Sequence, residues 1–142
     1  MTAFSQIVDA IVAKLKAGTP VSASIQRGNT RQIPDSCANA VNVFWEASQP
    51  EEGTIAGAPV DWQTRIIVDC YARSVSQTGD VAVDPVTQAV YERIAADTTL
   101  GGLVSHVGAP GIDGEFDAAS QRTGWTRLTY IIEHRTQNGL LS

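Results

Sequence analysis

The sequence predicts an α+β domain in which two α-helices pack on one face of a mainly antiparallel β-sheet. Three observations lead there. Residues 3–17, and the stretch opening at Asp84-Pro85, repeat apolar side chains at three- and four-residue spacing. Residues 61–73 and 124–136 alternate apolar and polar with period two. Helix, strands, helix and strands follow one another with few breaks and no internal repeat, an order that suits helices gathered on one side of a sheet.

A chain of 142 residues corresponds to one domain, 1–142. Folding a domain of this size buries roughly 68–70% of the surface its unfolded chain exposes, so neither a disulfide nor a metal is needed for stability. Hydrophobic residues make up 43% and charged residues 18%, which excludes a disordered chain. Apolar runs such as Ile66-Ile67-Val68 are far shorter than the ~20 residues of a membrane helix. The opening Met1-Thr2-Ala3-Phe4-Ser5-Gln6 lacks a basic region, and Asp9 interrupts the apolar stretch behind it, so no secretory signal is expected. A net charge of −5 disfavours a surface built to neutralise phosphates, although Arg65, Arg73, Arg122, Arg127 and Arg135 gather in the second half. Cys37 and Cys70 have no CxxC spacing and fit a reducing compartment.

In the first helix, Phe4, Ile7, Val8, Ile11, Val12 and Leu15 form the apolar stripe. Lys14 and Lys16 suit the negative end of its dipole, and Gly18 and Pro20 supply the stop. A short strand is predicted at 21–26, where Val21, Ala23 and Ile25 alternate with polar residues. Residues 27–36 form a polar loop with turn signals at Gly28-Asn29 and Pro34-Asp35. The strand at about 39–46 turns Val41, Val43 and Trp45 one way, and a loop from Gln49 to Pro59 carries Glu51 and Glu52. In the strand 61–73, Trp62, Thr64, Ile66, Val68, Cys70 and Ala72 define the core face. After a polar loop at 74–83, Asp84 is the predicted N-cap and Pro85 the first residue of a helix with Val86, Ala89, Val90 and Ile94 inward. The glycine-rich 103–123 segment predicts a short strand or two with a loop between. The closing strand puts Leu128, Tyr130, Ile132 and His134 on the core side.

No residue pattern rises to a catalytic or cofactor-binding motif. Nucleophilic hydrolysis needs a Ser, Cys or Thr with a base and an orienting group in reach. His134 shares the parity of Leu128 and Ile132, so it reads as a satisfied or edge histidine, and His106 as a lone histidine beside a loop. Cys70 alternates with Ile66 and Val68, as a core thiol does. The cysteines and histidines lack zinc spacing. Asp113, Glu115 and Asp117 resemble only a fragment of a calcium loop and read as a solvated acidic turn. The runs Leu100-Gly101-Gly102 and Gly108-Ala109-Pro110-Gly111 match neither phosphate-binding glycine pattern. No catalytic residue, metal or cofactor is therefore expected.

The outward faces of the two long strands are more informative. Ile67 and Tyr71 on one, and Trp125 and Ile131 on the other, form an apolar patch among Arg65, Arg73, Arg127, Arg135, Asp69 and Glu133. Aromatic and arginine residues around an apolar centre are enriched at protein interfaces. The same face could instead be covered within one subunit by the 103–123 segment or a loop.

The whole layout carries a resemblance. An amphipathic helix and a short strand lead to Ala40-Val41-Asn42-Val43-Phe44-Trp45 and an acidic loop, then to the strand Asp61-Trp62-Gln63-Thr64-Arg65-Ile66-Ile67-Val68. A helix opens at Asp84-Pro85, Leu100-Gly101-Gly102-Leu103-Val104 comes after it, and the chain closes on Trp125-Thr126-Arg127-Leu128-Thr129-Tyr130-Ile131-Ile132-Glu133. This order resembles the tail terminator (tail completion) family of long-tailed bacteriophages over nearly the whole chain.

The resemblance implies a non-enzymatic protein forming hexameric rings on the finished tail tube, ending its polymerisation and offering a surface to the head. It implies a homo-oligomer, and the outward strand face with Arg65, Ile67, Tyr71, Trp125, Arg127 and Ile131 is then the expected joint, while Glu51 and Glu52 either meet the tail tube protein or the head-side connector or neck protein, or belong to a merely solvated loop. No membrane and no sequence-specific nucleic acid is implied as a partner, and DNA is free to pass through the ring. The implied location is the head-proximal end of the virion tail, reached from the host cytoplasm during assembly. Two alternatives stay open: another neck or tube component, or a small dimeric enzyme or ligand-binding domain with a pocket lined by Cys70, Tyr130 and His134.

Overall fold

A computed structural model describes residues 1–28, 38–51, 57–117 and 122–142, with the side chains of 116, 117 and 122 excepted. Its elements, in chain order, are α1 (Ala3–Lys16), β1 (Ile25–Arg27), β2 (Asn39–Glu51), β3 (Val60–Ser74), α2 (Gly79–Ala95), β4 (His106–Val107), β5 (Gly111–Asp117) and β6 (Arg122–Thr136). Among the described residues the strands form one six-stranded sheet in the order β1-β2-β3-β6, with β4 and β5 both pairing with β6. Every pairing is antiparallel except β1 with β2, so the chain has the predicted α+β architecture.

Register explains where the core sits. Val41 pairs with Cys70 and Val43 with Val68, while Val68 faces Leu128 and Ile66 faces Tyr130. Paired residues in a sheet share a face. These side chains therefore form one apolar surface, and Ile7, Val8, Ile11 and Leu15 of α1 join the same core cluster. Val83, Val86, Val90 and Ile94 of α2 belong to it as well. Trp62, expected in this set, is only half-buried, edge-on to the ring of Phe4 at 5.3 Å between centroids.

The helices are fastened at their C-terminal ends. The Arg93 guanidinium donates to the carbonyl oxygens of Lys14 (3.1 Å), Ala17 (2.5 Å) and Thr19 (2.7 Å), in the last turn of α1, at its cap and just beyond it. Lys14 Nζ in turn donates to Asp97 Oδ2 at 3.0 Å. That contact, with the Thr99 and Gly101 amides, holds the Asp97 carboxyl down at about 2.

Several boundaries differ from expectation. The strand predicted at 21–26 is confined to Ile25–Arg27. Ser22 donates instead to the Asn39 side-chain and main-chain oxygens, tying the approach to β2. β2 runs to Glu51, past the predicted end at 46, so Gln49, Pro50 and Glu51 are strand residues. Of the loop expected over 49–59, residues 52–56 lie outside the described residues, and so does Cys37.

Helix α2 starts at Gly79, with Thr78 in the capping position, six residues ahead of the predicted start. Asp84 and Pro85 are thus inside the helix rather than at its cap and first position. The segment 103–123 holds the two short strands that its composition allowed.

Candidate functional site

The outward face of β3 and β6 is built from direct cross-strand pairs: Asp61 with Arg135, Arg65 with Ile131, Ile67 with Thr129, Asp69 with Arg127 and Tyr71 with Trp125. The predicted interface residues therefore do come together on one face, but not on equal terms.

Ile67 and Tyr71 are buried, at 1% and 4% exposure, and have no free surface to offer a partner. The expectation of an outward-facing patch fails at these two positions. Tyr71 packs against the Trp125 ring, with centroids 4.7 Å apart, and the Arg73 guanidinium lies over its face at 5.6 Å. Ile67 sits between its register partners Phe44 and Thr129. The Arg127 guanidinium lies 5.7 Å from the Phe44 ring centre, extending cover along that face.

Arg127 also differs from expectation, because it is committed within the subunit. Its Nε and Nη2 donate to the two carboxylate oxygens of Asp69, at 2.8 and 3.0 Å. Asp69 is 3% exposed. A bidentate pair of this kind joins charge neutralisation to fixed geometry. The Asp69 hydrogen bonds also push the Arg127 pKa upward. Arg135 grips Asp61 in the same way, at 2.7 and 3.1 Å, and holds that exposed carboxyl below its ordinary range.

Arg65 and Ile131 remain available. Ile131 is 48% exposed, a large apolar side chain in the middle of a long strand. The Arg65 side chain is 49% exposed, and among the described residues its carboxylate contact is Glu46 at 3.7 Å. With Ala47, Gln49 and Gln63 they line a shallow depression on the sheet. Trp125 is half-buried at the other end of the face. Glu51 ends β2 opposite Asp61 and accepts a 3.3 Å hydrogen bond from Gln63. Glu52 lies outside the described residues.

The pocket weighed for Cys70, Tyr130 and His134 is not assembled. Cys70 pairs in register with Thr126, Tyr130 with Ile66 and His134 with Trp62. That is a step of four residues each time, and the two ends are roughly 26 Å apart at ordinary strand rise. Burial pushes the Cys70 thiol up to about 12, so it is no nucleophile near neutral pH.

His134 belongs to a hydrogen-bonded chain that sequence reasoning missed. Trp45 Nε1 donates to Ser48 Oγ (2.9 Å), Ser48 meets Thr64 (2.8 Å), and Thr64 Oγ1 meets His134 Nε2 (2.6 Å). A β-bulge between Trp45 and Ala47 brings Ser48 opposite Thr64, which is why β2 parity alone gave no hint of it.

Asp113 and Glu115 lie on β5 opposite Arg127 and Trp125. Among the described residues no three His, Cys, Asp or Glu side chains are grouped as metal ligands. None of the described helices is long and apolar enough to cross a membrane. Comparison with protein-family models and with curated proteins finds no match.

Proposed function

We propose that the chain is a structural assembly protein of a long-tailed bacteriophage: a tail terminator whose identical subunits close into a ring, hexameric on the family's pattern. The ring caps the tail tube, ends its polymerisation and offers the head-joining surface. The observation that carries this reading is the exposed Ile131 beside the under-paired Arg65 on a long antiparallel strand pair. The resemblance of the sequence layout to that family supports it.

An exposed aliphatic centre with an arginine at its edge suits a joint between subunits. A ring requires a heterologous contact, so this face would meet a different surface of the neighbouring copy. In this reading Arg65, Ile131 and Trp125 supply the contact, and Arg127, held by Asp69, forms its border. Ile67 and Tyr71 support the face from beneath. Glu51 and Glu52 are the proposed contacts to the tail tube protein or to the head-side connector.

Electron microscopy of the purified protein mixed with tail tubes, together with native mass spectrometry, tests the reading. Closed rings seated on one end of the tubes are expected. Monomers that leave tube ends bare and growing would overturn it.

A further inference from the structure

Phe4, in the first turn of α1, packs on His134 of β6. The two rings meet at 75° with centroids 5.6 Å apart, and Phe4 also stacks on Trp45 and sits edge-on to Trp62. His134 is 3% exposed. Its Nε2 meets the Thr64 hydroxyl, and its Nδ1 is buried without a hydrogen-bond partner. Protonation makes both ring nitrogens donors. It would leave Nδ1–H buried with no acceptor, on a cation that has given up its water. The charged groups of the surrounding elements face elsewhere. Glu133 and Arg135 flank His134 on the opposite face of β6, and on that face Arg135 holds Asp61 and Arg65 meets Glu46. Glu51, opposite Asp61, and His106 of β4, opposite Glu133, share it. Along α1, Asp9 is paired with Arg27 and Lys14 with Asp97, and Lys16 is exposed at the far end. Burial accordingly lowers the His134 pKa below the ordinary 6.5.

We propose that His134 is the trigger of an acid-operated latch: protonating its ring lifts the first turn of α1, with Phe4, off the sheet while the rest of the domain stays folded. That turn is the part able to yield. Residues 1–6 are exposed or half-buried, and the buried anchors of α1 begin at Ile7. Besides Phe4, the turn is held by the Thr2 cap on the Ser5 amide, by Ser5 with Arg27, and by the Ala3 amide bonded to the Leu141 carbonyl. Segments fastened by few apolar contacts and by exposed hydrogen bonds open before the core does. Lifting Phe4 gives the charged ring water, and it uncovers Trp45 and Trp62 together.

NMR of the full chain, taken from about pH 7.5 down to about 5, reads the latch directly. Nuclear Overhauser contacts between the Phe4 and Trp62 rings should be present at the upper end and vanish with the same midpoint as the His134 ring shifts. The methyl resonances of Val68 and Leu128, in the core, should not change through that midpoint. His134→Gln should keep the Phe4–Trp62 contacts over the whole range. Phe4→Ala supplies an independent test: with the cover gone, the His134 midpoint should rise toward 6.5. Phe4–Trp62 contacts that outlast His134 protonation would overturn the proposal, as would a His134→Gln protein that opens over the same range. Loss of the Val68 and Leu128 signals at the same midpoint would mean that the whole domain unfolds and no latch exists. A His134 midpoint indifferent to Phe4→Ala would show that the first turn of α1 does not oppose protonation, and overturn it equally.

Discussion

Gly79 and Gly124 meet where the first turn of α2 crosses the start of β6, and neither has room for a side chain. A methyl group on Gly79 would collide with the Thr123 carbonyl, and one on Gly124 with the carbonyl of Gly79 itself. Neither glycine has a positive φ, so the demand is for space and not for an unusual backbone conformation. Gly124→Ala should therefore cost about 1–3 kcal/mol, the range for forcing extra volume into a packed contact. Gly111→Ala is the control, because nothing lies within 4 Å of a Cβ there, and it should stay within about 0.5 kcal/mol of wild type. Equal urea midpoints for the two variants would show that the contact relaxes freely.

The Asp69–Arg127 pair makes a second prediction. Removing one partner of a buried pair strands the other charge, typically at about 3–5 kcal/mol. Here the Arg127 side chain is 40% exposed against 3% for Asp69, so water screens part of the interaction. Arg127→Ala should accordingly cost roughly 2–3 kcal/mol. Asp69→Asn combined with Arg127→Ala should lose clearly less than the two single losses added together, since no carboxylate is then stranded. Additive losses in a double-mutant cycle would mean that the two side chains are not coupled. The same geometry makes Arg127→Glu a poor probe of assembly, because it sets a second carboxylate against Asp69 and attacks the fold itself.

His134 should make stability depend on pH. Burial lowers its pKa below the ordinary 6.5, so the folded protein holds it neutral. Between the lowered folded value and about 6.5 the unfolded chain binds the extra proton. Stability is then fully present above about pH 6.5 and falls as the pH drops through that window. Urea titrations from pH 7.5 down to 5 should show the fall, and His134→Gln should flatten it. An unchanged slope in the variant would assign the effect to other groups.

How much of this was legible in the sequence depends on whether one element or two must be known. The core face of β3 follows from its own alternation, and Ile66, Val68 and Cys70 lie where period two puts them. Burial of Ile67 and Tyr71 depends on Phe44, Trp125 and Arg127, residues on other strands whose register no single stretch encodes. The bulge after Trp45 resets β2 parity, and with it the Ser48–Thr64–His134 chain. The predicted start of α2 is late because Asp84-Pro85 is a strong local start signal. The contact of Gly79 with Gly124, 45 positions away, together with the burial of Val83, is what sets the actual start. For the site, Arg65 and Ile131 were readable as outward-facing residues, whereas the commitment of Arg127 to Asp69 was not.

Ile131→Asp and Arg65→Glu test the proposed joint without testing the fold. Both side chains are about half exposed, and neither belongs to the core cluster, so each variant should stay folded at a cost of at most about 1–2 kcal/mol, which for Arg65→Glu includes the lost contact with Glu46. At position 131 the new carboxylate would also face Arg65 directly across the β3–β6 ladder, a favourable cross-strand pair within one subunit. In a joint that excludes water the same change replaces apolar contact with a charge that must be desolvated. Assembly should therefore weaken by at least about tenfold, as when an interface anchor is lost. Ring formation is best scored with tail tubes present, by the fraction of tube ends capped at matched protein and salt, with circular dichroism to certify the fold. Arg65→Glu should also show a reduced salt dependence if the guanidinium meets a carboxylate of the neighbouring copy. If both variants cap tubes as wild type does, the outward face of β3 and β6 is not the joint, and the proposed ring would need another surface.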